Sequence, residues 1–267
     1  MPKVLLHPGL HKTGTSSAQH LLWKNRAALL PHVEIYQIRH FAAAAEPAHR
    51  FSKTADPLEL LDLAALFDDV FQGIGPREGR HVLITHEGLS GHMPGWPGVA
   101  DYGAVPVLYA YYAEYLAERF PHHELELVVT TRRAEDWIWS AYRHQLQAHR
   151  LTLDFDAFRE AVAAAADFDA LLGRLRRTLG DVPVHAAALE DTTALTFGPG
   201  EALLSCLDLP AEVMAGLTPV PPANAGPDPA LVDQLLALHR SDLPDAAVAS
   251  RRAEMLAKAG VGGWVRG

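Results

Sequence analysis

Cysteine is almost missing: Cys206 stands alone among 267 residues, which excludes a disulfide framework and a thiolate zinc site. It sits in an apolar helical pattern and reads as a buried small hydrophobe. No apolar run approaches the ~18–20 residues a membrane-spanning helix needs. No secretory leader is visible either, since Met1-Pro2-Lys3 runs directly into an apolar segment. The expectation is a soluble, cytoplasmic chain. Positive charge is scarce, with 23 Lys and Arg against 32 Asp and Glu and a net charge of −9. That balance argues against a nucleic-acid binder, which would carry a basic face. Histidine is plentiful at 15, but no His-Glu-x-x-His or other ligand spacing occurs. His144 and His149 are five apart and share a helix face poorly, so no metal site is expected. Internal repeats are absent.

What is present suits a globular α/β chain. Hydrophobic residues make up 49% and charged residues 21%, ample for a core, and the length fits one domain over 1–267. Apolar runs at 4–7, 32–38, 81–85, 125–131 and 182–189 read as strands. Between them lie helical patterns at about 15–30, from Asp56-Pro57 through Val70, at 107–120, through Trp137, Trp139 and Tyr142, and at about 155–179. Gly73, Gly75 and Pro76 mark the end of the second of these helices. Residues 39–57 carry little order signal, and 90–105 read as a long Gly- and Pro-rich loop of functional or mobile character. A helix near 200–207, a Pro-rich connection at 219–229 and a helical pair complete the chain. The alternation predicts a mostly parallel sheet of about five strands with helices on both faces and extra helices towards the C-terminus.

The most informative stretch is Pro8-Gly9-Leu10-His11-Lys12-Thr13-Gly14-Thr15-Ser16-Ser17. It follows the first strand and opens onto a helix, the order of a phosphate-cradling P-loop. Amides at the helix start and the helix dipole favour an anion there. Gly9 and Gly14 have the separation of the nucleotide-triphosphatase loop, and Ser16 stands at its magnesium-binding hydroxyl. Thr15 replaces the lysine before it, however, and Lys12 lies inside the loop. One cation and several hydroxyls around a compact anion is what remains. The plainer alternative is a Gly/Ser/Thr turn from strand to helix.

Lys12 to Ser16 resembles the 5′-phosphosulfate loop, Lys-(Ser/Thr)-Gly-Thr-(Thr/Ser), of the sulfotransferases that use 3′-phosphoadenosine 5′-phosphosulfate (PAPS). A second element of that family is an arginine at a strand end with a serine eight positions on, which together hold the donor's 3′-phosphate. Arg132 and Ser140 have this spacing, with Asp136 and Tyr142 nearby. Arg133-Ala134 departs from the family's frequent Asn-Pro. The alternative for Arg132 and Arg133 is ion pairing with Glu135, Asp136 or Glu87. Ile84-Thr85-His86-Glu87-Gly88-Leu89 resembles the family's Ser-Glu-Gly/Asn-Leu segment, whose glutamate is the base in carbohydrate-directed members. Looser likenesses are Leu189-Glu190-Asp191, Val220-Pro221-Pro222-Ala223-Asn224 and the glycines of Lys258–Trp264. Ser17 replaces the tryptophan that stacks on adenine in cytosolic animal members.

The resemblance implies a P-loop-like fold and sulfuryl transfer from PAPS, with 3′,5′-bisphosphoadenosine (PAP) as product and no metal. It places Lys12, Thr13, Gly14, Thr15, Ser16, Ser17, Arg132 and Ser140 on the donor. Lys12 would stabilise the leaving phosphate. Glu87, at a strand's C-terminal end, is the leading base, and His86 is its rival. His11 is a candidate acceptor contact, and His7, within the strand pattern, reads as a satisfied core histidine. The tyrosines at 109–115 read as packing, with a cover over the acceptor, together with Trp96, as the other option. The acceptor would be a small molecule, carbohydrate or lipid. Other classes remain open: a P-loop kinase or phosphotransferase, and a catalytically silent nucleotide-binding protein of the same fold.

Overall fold

The computed structural model describes residues 1–72, 79–221 and 228–261. Five strands form one all-parallel sheet: β1 (Lys3–His7), β2 (Val33–Tyr36), β3 (His81–Thr85), β4 (Glu124–Thr131) and β5 (Val184–Ala188), in the order β2-β3-β1-β4-β5. The sheet and flanking helices are those expected of the sequence pattern. Parallel strands are covered on both faces and therefore read as continuous apolar runs rather than alternating ones.

Period-two alternation divides the strand side chains between two cores. Leu5, Leu83 and Val128 pack with Leu21 and Leu22 of the helix Thr15–Lys24 and Leu203 of the helix Pro199–Leu204. Val4, Leu6, Val82, Ile84, Leu127 and Val129 face the opposite core, with Tyr112 and Trp137 from the helices Val105–Arg119 and Ala134–Ala148. β1 lies between β3 and β4, and the chain leaves β1 towards the β2 edge and β4 towards the β5 edge. The adjacent strands β1 and β4 thus form the topological switch point, where open α/β sheets hold ligands outside the strands' C-terminal ends.

Several elements differ from expectation. The first helix stops at Asn25 and resumes as the short helix Arg26–Leu29. Asn25 turns out of helical geometry to exchange two hydrogen bonds with Thr218, Nδ2 to its carbonyl and Oδ1 from its amide (3.0 and 2.7 Å). Residues 39–57 are ordered as parts of the helices Ile38–Phe41 and Ala45–Thr54, anchored by buried Phe41, Ala48 and Phe51. The stretch 91–104 is irregular, as expected, but pinned. Gln145, fully buried on the helix Ala134–Ala148, donates to the carbonyls of Met93 and Pro94, and Ser52 Oγ accepts the His92 amide at 3.0 Å. Gly73, Gly75 and Pro76, Pro222–Asn224 and Gly262–Trp264 lie outside the described residues. No helix among the described residues is long and apolar enough to cross a membrane.

The loop after β1 depends on Gly9, which has φ +79°; an added Cβ would lie 2.6 Å from Thr15 Oγ1 and 2.9 Å from its Cγ2. Left-handed strain and overpacking together give Gly9→Ala an expected loss of roughly 2–3 kcal/mol. Urea unfolding checks this: the midpoint falls with an unchanged slope, whereas an unmoved midpoint contradicts the packing described.

Candidate functional site

The loop 8–14 sits over the switch point and is held from below by a chain of polar groups. His7 Nδ1 meets Thr85 Oγ1 at 2.9 Å and His7 Nε2 meets Thr130 Oγ1 at 3.3 Å. Thr130 Oγ1 is also 2.7 Å from Thr13 Oγ1, which donates to the Leu10 carbonyl at 2.6 Å. Hydroxyls from β3 and β4 are thereby tied through β1 to the loop. His7 is fully buried with both nitrogens engaged, and burial pushes its pKa down to about 4. It is a satisfied core histidine, as its place in the strand suggested.

The segment after β4 clamps the same loop. Arg132 Nη1 donates to the Lys12 carbonyl at 3.2 Å, and Trp137 Nε1 donates to the His11 carbonyl at 2.8 Å. Lys12 adopts φ +64°, a left-handed conformation that costs an ordinary side chain ~1–2 kcal/mol. Strain of this kind persists only where the surroundings impose it, and these carbonyl contacts do so here. Gly14 (φ +100°) then caps the helix Thr15–Lys24, leaving first-turn amides without partners inside the helix.

Three cations converge. Lys12 has its pKa lowered by burial first, then by the Arg132 and Arg143 charges, with Glu87 opposing. Arg143 is itself pushed down by burial and by Arg132. Among the described residues no carboxylate lies within ion-pairing distance of Lys12 or Arg132. Like charges gathered at one loop repel one another, and a bound anion would relieve that repulsion. Ion pairing does account for Arg133, whose Nε lies 2.8 Å from Asp136 and 3.6 Å from Glu190. Arg143 was not singled out from the sequence; its place three residues beyond Ser140, on a neighbouring helix face, was the available signal.

The other expected positions divide by environment. The Thr13 hydroxyl is turned inward to Leu10, as is that of Thr15 at 3.4 Å, and both residues are buried. Ser16 is exposed and Ser17 half-buried on the first helical turn, while Ser140 is buried in the helix after Arg132. Glu87 is half-buried at the start of the 3-10 turn Glu87–Ser90, and Gln19 Nε2 donates to its Oε2 at 3.0 Å. His86 is buried; its Nδ1 accepts the Gly88 amide at 3.2 Å. Its ring folds over Gly88, where an added Cβ would lie 2.8 Å from His86 Cε1. Burial, with a smaller contribution from His49, pushes its pKa to about 4. Of the two candidates, Glu87 lies within electrostatic reach of Lys12, whereas His86 caps a turn.

Tyr109 and Tyr112 support this turn from within the core. Tyr109 OH lies 2.7 Å from Ser90 Oγ, which donates to the Gly9 carbonyl, and Tyr112 OH donates to the Leu89 carbonyl. On the β5 side a cavity of about 760 Å³ adjoins Arg132, with Ile138, Ala163, Phe168 and Ala188 as apolar lining and Glu135 and Arg159 among its polar groups.

Fold and site together define a parallel α/β sheet with a loop at its switch point where basic side chains gather. No protein-family model matches the chain, and no curated protein does. Among solved structures, a sulfotransferase from Alicyclobacillus acidocaldarius is similar at 18% identity over 98% of this chain and 97% of that one, with a TM-score of 0.44.

The buried His7 carries a pH dependence. An unfolded imidazole protonates near 6.5 and the folded one only near 4, so between these values the unfolded state binds more protons and stability falls as pH falls. Below the folded value this ring alone costs about 3 kcal/mol. Proton NMR of the His7 ring checks it: the ring stays neutral through pH 5, and a midpoint near 6.5 contradicts the buried network.

Proposed function

We propose that the protein is a PAPS-dependent sulfotransferase. The observation that carries this reading is the convergence of Lys12, Arg132 and Arg143 at one loop, with no carboxylate paired to Lys12 or Arg132. A donor with a phosphosulfate at one end and a 3′-phosphate at the other suits two basic anchors on neighbouring strands, and the donor set fits an anion. Lys12 with Gly14–Ser17 holds the 5′-phosphosulfate, and Arg132 with Ser140 holds the 3′-phosphate by the planar fork of its guanidinium. The cavity beside Arg132 gives the nucleoside room, which answers the lack of a stacking tryptophan at Ser17.

In the reaction, the acceptor hydroxyl attacks sulfur as its proton passes to the Glu87 carboxylate, which Gln19 orients. A new O–S bond forms, and the S–O bond to the 5′-phosphate breaks with its electron pair remaining on that phosphate. Lys12 stabilises the growing charge, a contribution worth a few kcal/mol of barrier. Gln19 Nε2 donates to Glu87 Oε2 at 3.0 Å, which holds the carboxylate in place for this task.

Thermal shift with PAP tests the reading. At a hundredfold excess over the dissociation constant the expected stabilisation is about 2.7 kcal/mol, without magnesium. Lys12→Ala or Arg132→Ala weakens PAP binding roughly 10- to 100-fold, the cost of losing a charged hydrogen bond. PAP binding unchanged in both variants contradicts the proposal, as does stabilisation by ATP with magnesium alone.

A further inference from the structure

Outside the basic loop, the described residues gather a set of histidines on one side of it. His11 lies within electrostatic reach of His144, His49, His86 and His92 together, although these come from the helix Ala45–Thr54, the strand-end turn, the 91–104 loop and the helix Ala134–Ala148. Three of the rings form an ordered wall with Trp96. His49 stacks on His92 at 4.3 Å with 13° between planes, and His92 stacks on Trp96 at 4.8 Å with 6°. His149 meets the far part of Trp96 edge-on at 5.1 Å. His144 reaches solvent and lies close enough to Lys12 to feel its charge. The wall therefore stands beside the loop; His49, His92 and Trp96 come from the helix Ala45–Thr54 and the 91–104 loop, while His144 and His149 lie on or cap the helix Ala134–Ala148 that also carries Ser140.

The wall is rigid. Besides the Gln145 and Ser52 contacts to the 91–104 loop, Gly91 approaches the helix Ala45–Thr54 so closely that a Cβ there would lie 2.5 Å from Ser52 Cβ. Gly95 (φ +88°) similarly leaves no room for a Cβ against Phe158, 2.5 Å away. It is also uncharged at neutral pH. Burial holds His92 and His144 to about 4, with the Lys12 charge adding to the shift of the latter, and lowers His49. Fixed charges stand at its edges: Lys53, 6.0 Å from the Trp96 ring centroid, Glu46 within electrostatic reach of His49, and Arg252 within that of His149.

We infer that the His49–His92–Trp96 wall is the acceptor-binding surface and that the acceptor it takes is a neutral sugar. The inference rests on the sulfuryl-transfer reading above and names the acceptor class for that site. A neutral imidazole presents one donor and one acceptor at fixed angles. A row of them is matched by a polyol, whose hydroxyls both donate and accept, and half-buried Trp96, one face of which His92 covers, adds apolar surface beside them. An alkyl chain or a simple phenol would desolvate the ring nitrogens without replacing their bonds, at a cost in affinity. An acidic glycan would call for permanent cations along the wall, and its rings carry none.

The test uses the full chain loaded with PAP and a panel of neutral tetraoses (cello-, malto-, xylo- and chitotetraose), with 4-nitrophenol and decanol as competing probes. Binding is read by saturation-transfer NMR on the probe and by calorimetry. At least one tetraose binds, and Trp96→Ala and His92→Leu each weaken it tenfold or more while the PAP thermal shift stays as in the wild type. Should either variant lose its PAP shift through misfolding, His49→Leu, on the outer ring of the stack, gives the same readout. Binding of 4-nitrophenol or decanol with no tetraose bound overturns the inference, as does tetraose binding that survives all three substitutions. In either case an intact PAP shift leaves the donor reading standing; absence of a PAP shift in the wild type removes that reading instead.

Discussion

Mutual repulsion between Lys12, Arg132 and Arg143 is the constraint on which the site depends. An acidic chain of net charge −9 offers no attractive long-range field for an anion, so affinity has to be local. Placing three cations where each lowers or opposes the charge of another is costly for the free protein, and the strained φ of Lys12 adds to that cost. A multivalent anion at the loop would offset both costs.

The fold supplies the rigidity that such an arrangement demands. Because β1 and β4 are neighbours whose following segments leave towards opposite edges, one carries the Lys12 loop and the other Arg132 to the same crevice. The Arg132 and Trp137 donors fix two successive loop carbonyls from above, and the Thr85–His7–Thr130–Thr13 chain fixes the loop from below. Gln19 belongs to the helix that the loop opens, yet it also holds Glu87 at the end of β3. Glu87 and the Lys12 loop are thus set relative to each other by one side chain, with Tyr109 and Tyr112 bracing the turn between them.

The sheet was legible in the sequence because its strands are buried on both faces, and continuous apolar runs such as His81–Thr85 leave little choice of structure. The Lys12 loop was legible through its glycines, and Arg132 through its position at a strand end. What escaped was set by distant partners. The break at Asn25 exists because of Thr218, and the helix Ala45–Thr54 is stabilised by packing that its alanine-rich sequence does not announce. The histidines looked unremarkable in sequence since they match no metal spacing; their significance arises from stacking between His49 and His92 and on to Trp96, across two segments distant in sequence. Arg143 was hidden for a similar reason: it is the one arginine of its helix, and the cations it meets come from other segments.

Lysine side-chain NMR on selectively labelled protein addresses the central claim most directly, by following the Lys12 ammonium through pH with and without PAP. The account predicts a titration midpoint below that of the chain's other lysines in the free protein and a marked rise on saturation, as the anion offsets Arg132 and Arg143. A Lys12 midpoint equal to those of surface lysines and unmoved by PAP would contradict it.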